Sequence, residues 1–570
     1  MSCTLIRYPK AICASILTLL SLLLWLPRLR GPLDLRWDAG VYYILGTSIA
    51  EGKGYRLLNE PGEIQAIQYP PLLPLFAAAH QRIAGSSDPA TAGFMLRVSF
   101  FLIFLAFIAA VYRLSRHYMT SRLAFLATLA VLLHVHTTWM SELFYAELPF
   151  ALISVVFFLV SRRPPARFRN AFAGTLAILC FLLRNSGIAL LVAWVGESLF
   201  TRRFKEMALR ACVALLPILA WQGYILHVKN GPEYSRPAYP YQRAAYQYSN
   251  VGYLDNVLYV DPFVPELGTE SVPLLVRRVF RNLPSVVEGL GAAVSVRREW
   301  ASFWIRRINE TFGTQLASMF LADIVPFVML GVLVLSGLVL ITLRGERLIT
   351  LYVAGSCGLV CLTPWPGQFE RYLWPLTPLL VIALITTLVM ICNRVARLAP
   401  GMLRTVVLGF VAAIALCVFA TESLALRKAF SLGARTFYTN DNGKQHEYRL
   451  LFYTPDWQHH DEALEWLGKH ANPNDIVATS TPHWAYLKTG LQSVMPPFEL
   501  DVDEAQRLID SVPVTYLVLD SFSFVDVSRR YGGPIVHAFP DRWELVYCSP
   551  EEDSRIYRRR VLEKELSVSK

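Results

Sequence analysis

Long apolar segments recur along this chain of 570 residues and constrain its fold more than any other feature. A helix that crosses a bilayer needs about 20 mostly apolar residues. Only 17% of the residues are charged, against about a quarter in soluble proteins, so soluble, disordered and fibrous folds are excluded. The sequence predicts a polytopic α-helical membrane protein with about eleven spans. The predicted spans are 8–27, 93–114, 121–138, 147–161, 170–183, 185–200, 207–227, 318–343, 348–363, 372–392 and 403–424.

Charge is divided unevenly along the chain. Residues 435–570 carry 15 Lys and Arg against 21 Asp and Glu, so the net charge of +11 arises entirely from the apolar part. The basic residues cluster in alternate loops, which predicts a cytoplasmic N-terminus by the positive-inside rule. Because the basic excess lies in the loops of the apolar part, nucleic acid is not an expected partner. The sequence predicts a membrane domain over 1–424, with outer loops 28–92 and 228–317, and an extracytoplasmic domain over 425–570.

The acidic tail has the pattern of a small α/β domain. Helical periodicity over 461–470 and 503–510 alternates with apolar runs typical of strands. These runs cover 476–480, 514–519 and 543–548.

Acidic residues are absent from the middle of every predicted span. Glu197, Asp323 and Glu422 all lie near span ends. Ion-coupled carriers hold ionisable groups near the bilayer midplane, where the transported charge is bound. This distribution argues against an ion-coupled transporter.

The first outer segment begins with an acid that has two interpretations. Asp38 follows Arg36 and Trp37 and precedes a helical pattern that includes Tyr42. Asp is a common N-cap, because its carboxylate accepts the free N–H groups of a first helical turn. A carboxylate at the edge of an apolar pocket is also suited to accepting a proton from a hydroxyl group.

A second outer loop offers Glu142 and Glu147, and Glu147 has the same capping alternative because a proline follows at 149. His134 and His136 lie beside this loop. On a helix the two imidazoles diverge, and no further ligands are evident, so we do not expect a metal there.

Three outer arginines oppose the positive-inside pattern and favour anion binding: Arg97, Arg184 and Arg371. Arg371 stands between Glu370 and Tyr372. The alternative is that these arginines are interfacial anchors.

Four motifs in this order resemble the GT-C fold glycosyltransferases that use polyprenyl-phosphate sugars, including protein O-mannosyltransferases and aminoarabinose transferases of lipid A. The resemblance covers about residues 5–425. The motifs are Trp37-Asp38 with Tyr42, leading to Gly52-x-Gly54-Tyr55; Tyr69-Pro70-Pro71-Leu72; Tyr145-Ala146-Glu147-Leu148-Pro149; and Glu370-Arg371-Tyr372 with Pro375 and Pro378.

The resemblance implies an inverting transfer of a hexose or pentose to an acceptor hydroxyl outside the membrane. It makes Asp38 the general base and Glu147 a second catalytic acid. The donor phosphate would bind to Arg97, Arg184, Arg371 and Tyr69, and the substrate to Arg36, Tyr42, Glu142, Glu370 and Tyr372. The expected partners are the membrane, a lipid-linked sugar and a glycan, lipid or protein acceptor of the cell envelope, with the protein in a bacterial plasma membrane. A divalent metal is not expected.

Two departures from the family pattern bear on the site. Ala39 stands where many relatives have Glu, and Tyr69 where many aminoarabinose transferases have Lys. The second departure shifts phosphate binding to the arginines and argues against assuming aminoarabinose as the sugar. Two other functions stay open on the sequence: a lipid or glycan transporter or flippase, and a glycan polymerase or ligase.

Overall fold

A computed structural model describes residues 9–162, 167–296, 310, 319–398, 401–439, 443–522 and 526–560. The predicted outer loop 228–317 therefore lies partly outside the described residues. Its part beyond residue 296 is described only at residue 310.

Helices dominate the chain up to residue 431. The first nine are α1 (Pro9–Trp25), α2 (Asp38–Ala50), α3 (Leu72–Ala84), α4 (Pro89–Tyr118), α5 (Ser121–Leu133), α6 (Val135–Glu142), α7 (Glu147–Ser161), α8 (Arg167–Leu183) and α9 (Ile188–Phe200). The next nine are α10 (Phe204–Lys229), α11 (Pro232–Ser235), α12 (Tyr253–Leu258), α13 (Val272–Ala292), α14 (Met319–Leu343), α15 (Arg347–Leu362), α16 (Phe369–Leu373), α17 (Thr377–Leu398) and α18 (Gly401–Ser431).

Each of the eleven predicted spans coincides with an apolar helix, and the chain is an integral membrane protein. Within the described residues, six helices are long and apolar enough to cross a membrane. A seventh crossing arises if α5 and α6, which meet at 55°, form one broken span. The remaining four apolar helices, α7, α8, α9 and α15, have only 10–17 residues. By length and composition, the described part therefore allows six or seven full crossings.

Local sequence explains several helix ends and contacts. The Asp88 carboxylate accepts a hydrogen bond from Thr91 N at 2.9 Å and caps α4, with Pro89 at its first position. Helices α13 and α14 approach closely because glycine has no side chain. A methyl group at Gly291 would collide with the Phe327 carbonyl.

The tail contains two sheets and four helices among its described residues. The strands are β1 (Ala434–Thr439), β2 (Gln445–Leu450), β3 (Ile476–Ala478), β4 (Ser493–Val494), β5 (Val514–Asp520), β6 (Trp543–Cys548) and β7 (Ser554–Arg559). The helices are α19 (Pro455–His470), α20 (Pro482–Thr489), α21 (Val502–Asp510) and α22 (Gly533–Ala538).

The tail has the predicted α/β fold. Strands β1 and β2 form an antiparallel hairpin, and the larger sheet has the order β4-β3-β5-β7-β6. Its β4, β3 and β5 strands are parallel, whereas β7 pairs antiparallel with β5 and β6. The hairpin, β4, β7 and the helices α20 and α22 were not predicted from the sequence. The division at residue 424 stays a prediction, and the last apolar helix continues to Ser431.

The tail packs against the outer segments of the membrane domain. At the edge of the larger sheet, Ser493 N donates to Asn59 O at 2.7 Å, and Asn59 Nδ2 donates back to Ser493 O at 3.1 Å. Tyr241 Oη donates to Met495 O at 3.3 Å. Residues of both predicted outer loops thus lie on the same face of the tail.

Buried histidines make the stability of the tail sensitive to acid. Burial lowers the pKa of His483 to about 3, and burial also lowers the pKa of His460. An unfolded histidine binds a proton below about pH 6.5, whereas the half-buried His483 does not until the pH nears 3. As the pH falls between these values, the unfolded state gains protons that the folded state excludes. We expect His483 to cost the tail about 1.4 kcal/mol per pH unit in this window.

Hydrogen exchange of α20 at several pH values measures this change in the free energy of unfolding. The exchange is recorded for the full-length protein in nanodiscs and corrected for intrinsic exchange rates. Replacing His483→Gln should reduce the slope by the His483 share and leave that of His460. The matched control His470→Gln, at an exposed position of the same domain, should leave the whole slope unchanged. Equal slopes in wild type and His483→Gln would contradict the prediction.

Candidate functional site

Four charged side chains form a line at one end of the helix bundle: Asp38, Arg371, Glu147 and Arg184. Arg371 Nη2 donates to Asp38 Oδ2 at 2.8 Å, and Arg371 Nε donates to Glu147 Oε1 at 2.8 Å. Arg184 Nη1 lies 3.2 Å from the same Glu147 oxygen. We call this alternating arrangement the charge ladder.

Helix ends place all four side chains. Asp38 and Glu147 are the first residues of α2 and α7, Arg371 belongs to the short α16, and Arg184 follows α8. An acid in the first turn is stabilised by the positive end of the helix dipole. The predicted capping roles are wrong, because neither N-terminus has a side-chain cap and the N-cap residues are Trp37 and Ala146.

Exposure divides the charge ladder into a buried acid and three accessible groups. The Glu147 side chain is 1% exposed, whereas those of Asp38, Arg371 and Arg184 are 26%, 19% and 17% exposed. Ion pairing at low dielectric is strong, so Glu147 fixes both guanidinium groups beside Asp38. The ladder is neutral as a whole. An arriving anion would meet two oriented guanidinium groups, whose positive charges are balanced by the two carboxylates.

Tyrosines surround the accessible side of the charge ladder. Tyr69 Oη lies 3.4 Å from Asp38 Oδ1 and packs on Tyr42 at 4.7 Å between ring centroids. Burial and then the Asp38 carboxylate raise the pKa of Tyr69, so its hydroxyl stays protonated and donates to Asp38. The Arg371 guanidinium lies 4.4 Å from the centre of the Tyr145 ring. Such rings and hydroxyls suit a sugar, which offers C–H faces and many hydroxyl groups.

Two further tyrosines at the site were not among the predicted site residues. Tyr248 and Tyr253 interact electrostatically with Arg371, as does the predicted Tyr372. The available signal was the tyrosine-rich stretch of the predicted outer loop 228–317. It could not be resolved into individual residues, because long-range packing selects which tyrosines reach the cleft.

Four predicted residues make their described contacts elsewhere. Arg97 is fully buried and donates to the carbonyls of Arg28 and Pro32 at 2.7–3.1 Å. Glu142 pairs with Arg28. Arg36 is fully buried against Asp34, and Glu370 interacts electrostatically with Glu422. Their assignments as donor-binding or substrate-binding residues stay untested predictions.

The two histidines beside the second outer loop contact protein groups. His134 Nδ1 accepts from His136 N at 3.2 Å, and His134 Nε2 lies 3.6 Å from Glu422 Oε1. Among the residues that the structure describes, one cluster has side chains close enough to hold a metal. It joins His459, Glu551 and Asp553 in the tail.

No protein-family model and no curated protein matches the sequence. The fold does have solved counterparts. Archaeal oligosaccharyltransferase AglB from Archaeoglobus fulgidus, in complex with an inhibitory peptide and a dolichol-phosphate, has a TM-score of 0.53 at 13% identity. The match covers 99% of this chain and 75% of that chain.

ArnT from Cupriavidus metallidurans, bound to undecaprenyl phosphate, has a TM-score of 0.51 at 13% identity. Here the match covers 96% of this chain and 97% of that chain. The full length of the present chain therefore follows the architecture of these membrane transferases. The chain has the GT-C fold that the sequence resemblance implied.

The charge ladder predicts that its buried acid is needed for stability. In a Glu147→Gln variant, Arg371 and Arg184 lose their shared partner and repel each other. We expect a loss of about 3 kcal/mol, since breaking a buried ion pair leaves uncompensated charge. The control Glu233→Gln removes a half-exposed pair with Arg56 and should cost about 1 kcal/mol or less. Unfolding of both variants in the same detergent measures the difference, and equal stabilities would contradict this account.

Proposed function

We propose that this protein is an integral membrane glycosyltransferase that moves a sugar from a polyprenyl-phosphate donor to an acceptor hydroxyl. The observation that carries the proposal is the charge ladder. It offers an accessible carboxylate beside two oriented arginines, on a fold shared with transferases solved with dolichol-phosphate and undecaprenyl phosphate. A glycosyl transfer from a lipid phosphate needs both of these elements, one for the acceptor and one for the leaving group.

Asp38 acts as the general base in this proposal. The acceptor hydroxyl oxygen attacks the anomeric carbon, while the bond from that carbon to the phosphate oxygen breaks. The hydroxyl proton passes to the Asp38 carboxylate, and attack opposite the leaving group inverts the configuration. Tyr69, which donates to the other Asp38 oxygen, holds the carboxylate in place.

Arg371 and Arg184 act on the departing phosphate. The lipid phosphate carries one negative charge as a diester and gains a second as the bond breaks. At the same moment, protonation neutralises Asp38 and removes one partner of Arg371. The positive charge of Arg371 thus becomes available as the phosphate becomes more negative. Such charge compensation in a site of low dielectric is a large source of rate enhancement.

Glu147 has a positioning role in this mechanism. It is buried and bonded to both arginines, so it holds the phosphate-binding groups and does not meet the acceptor. This replaces the role of second catalytic acid that the family resemblance implied.

The transfer takes place at the extracytoplasmic face in this proposal. Basic residues lie in the alternate loops opposite to the charge ladder, which supports a cytoplasmic N-terminus and an extracytoplasmic tail. The donor would enter from the outer leaflet, and the acceptor would be a hydroxyl of a cell-envelope glycan, lipid or protein.

The proposed transfer is independent of divalent metals. Guanidinium groups already pair with Asp38 and Glu147 and supply the positive charge that a cation would bring. Excess EDTA should therefore leave the rate unchanged, and loss of activity that Mg²⁺ or Mn²⁺ restores would contradict metal independence.

The experiment is transfer in proteoliposomes from polyprenyl-phosphate sugars, with acceptor mass as the readout. We expect a mass gain of one sugar and a loss of about 10²–10⁴-fold in rate for Asp38→Asn, which keeps the shape but cannot accept the proton. The control Glu63→Gln changes an acid of the same outer loop that pairs with Lys53, and should retain full activity. Full transfer by Asp38→Asn would overturn the role of Asp38.

The same assay separates the alternative functions. Lipid or sugar crossing the bilayer without a new glycosidic bond would indicate a transporter. A mass gain of a whole oligosaccharide would indicate a polymerase or ligase.

Arg184 should act mainly on the donor. In an Arg184→Gln variant, the lipid phosphate loses one cationic partner, whereas Asp38 keeps its pair with Arg371. We expect a rise in the donor KM by about tenfold, the equivalent of one charge-assisted hydrogen bond, with a smaller change in the acceptor KM. The control Arg281→Gln lies at an exposed position of α13 and should leave both values unchanged.

A further inference from the structure

We infer that the C-terminal domain completes the active site, because Trp457 and the main chain at 451–452 hold Asp38 in its working position. The buried Arg36 connects the main chain at 451–452 to the segment that precedes Asp38. The inference rests on the proposed function, in which Asp38 is the base. Trp457 and Arg36 are positioning residues, since each acts through the backbone before Asp38.

The backbone directly before Asp38 is strained. Trp37 has φ 55° and ψ −136°, a conformation that glycine tolerates and a bulky L-residue rarely adopts. Such a conformation persists only when its surroundings enforce it. Because Trp37 is the N-cap of α2, any relaxation of its backbone would turn the first helical residue, which is Asp38.

Aromatic side chains from both domains enclose Trp37. Its ring makes an edge contact with Trp139 of the membrane domain at 6.0 Å and with Trp457 of the tail at 5.3 Å. Trp457 is buried and lies at the start of α19, where it packs on Phe522 at 4.3 Å. The tail thus supplies one of the two walls that hold Trp37.

Arg36 connects the same backbone to the tail by hydrogen bonds. Its side chain is 0% exposed and grips the Asp34 carboxylate with Nε at 3.0 Å and Nη2 at 2.7 Å. The same guanidinium donates to Leu451 O at 2.8 Å and to Phe452 O at 3.1 Å. A buried guanidinium must keep such partners, since an unpaired one costs a large desolvation penalty.

Asp34 extends this connection to the second outer loop. Asp34 N donates to Glu142 O at 3.0 Å, and Phe144 N donates to Asp34 O at 3.0 Å. Glu147 follows three residues after Phe144. The segment that Arg36 fixes therefore sets the separation between Asp38 and the acid that holds both arginines.

A second tail element covers the first turn of α2. A Cβ atom built on Gly40 would lie 3.2 Å from His483 Cβ and 3.4 Å from Leu487 Cδ1, both on α20. The tail thus contacts the helix of Asp38 directly and also holds the residue that precedes it.

The test compares Trp457→Ala and Trp457→Phe with wild type, using the full-length protein in nanodiscs. Misplacing a catalytic group by about 1 Å costs about 100-fold in rate, so we expect Trp457→Ala to lower kcat by about 10- to 100-fold. The acceptor and donor KM values should change little, because Trp457 does not touch the cleft groups described above. Trp457→Phe keeps a ring against Trp37 and should restore most of kcat.

The matched control is Trp466→Ala. Trp466 is on the same helix and stacks on His470, 4.2 Å away within the tail. It should leave kcat unchanged. An equal loss of kcat in Trp466→Ala and Trp457→Ala would mean general damage to the tail and would overturn the inference.

A double variant isolates the strained backbone. Glycine adopts the conformation of residue 37 without enforcement, so in a Trp37→Gly background Trp457→Ala should lower kcat by much less than it does alone. If the losses of kcat in the two single variants simply multiply in the double variant, the inference would be overturned, even if each single variant is impaired.

Hydrogen exchange provides a readout that does not depend on activity. Trp457→Ala should speed the exchange of amides in residues 38–45, and Trp466→Ala should not. Unchanged exchange over 38–45 in Trp457→Ala would overturn the inference. A wild-type protein that transfers no sugar but shows the expected exchange would overturn the proposed function and leave the coupling between the tail and α2 intact.

Discussion

The bonding of buried Glu147 to two arginines is the interaction on which the rest of the site depends. A carboxylate at 1% exposure is tolerable only with cationic partners, and its partners are thereby immobilised. Arg371 Nη2 in turn donates a hydrogen bond to Asp38 Oδ2 at 2.8 Å and so also fixes the position of Asp38. Four short segments that are distant in the sequence become one charged unit, and no single helix could hold these groups in that order.

The same unit accounts for the chemistry that we propose. Paired charges are neutral at rest, so they can stay in a poorly solvated cleft without large cost. Proton transfer to Asp38 and charge growth on a phosphate change this balance together. The arrangement therefore responds to a glycosyl transfer more than to binding alone, which is the condition for catalysis. A transporter would gain nothing from this coupling.

Much of the fold and part of the site could be predicted from the sequence. Apolar length identified the membrane helices, and two of the four tail helices and three of the tail strands followed from periodicity. Asp38, Glu147 and Arg371 were recognised by their motifs and Arg184 as an outer arginine, and all four lie together. Short strands such as β4 carry too few residues to show a pattern. Buried residues such as Arg97 were predicted to bind the donor phosphate. The sequence does not reveal that the N–H groups of Arg97 already donate hydrogen bonds to backbone carbonyls.

The sequence by itself determined that this chain lies in a membrane. It also predicted that Asp38 and Glu147 lie at the same end of the helix bundle and that arginines meet them there. These properties depend on local composition and on charge, and both can be read along the chain. Only the tertiary structure decided the bond partners of those acids, the strained backbone at Trp37 and the contact of the tail with α2. Each of these joins segments far apart in the sequence; Arg36 and Phe452, for example, are separated by 416 residues. Such pairings follow from how whole helices and sheets pack.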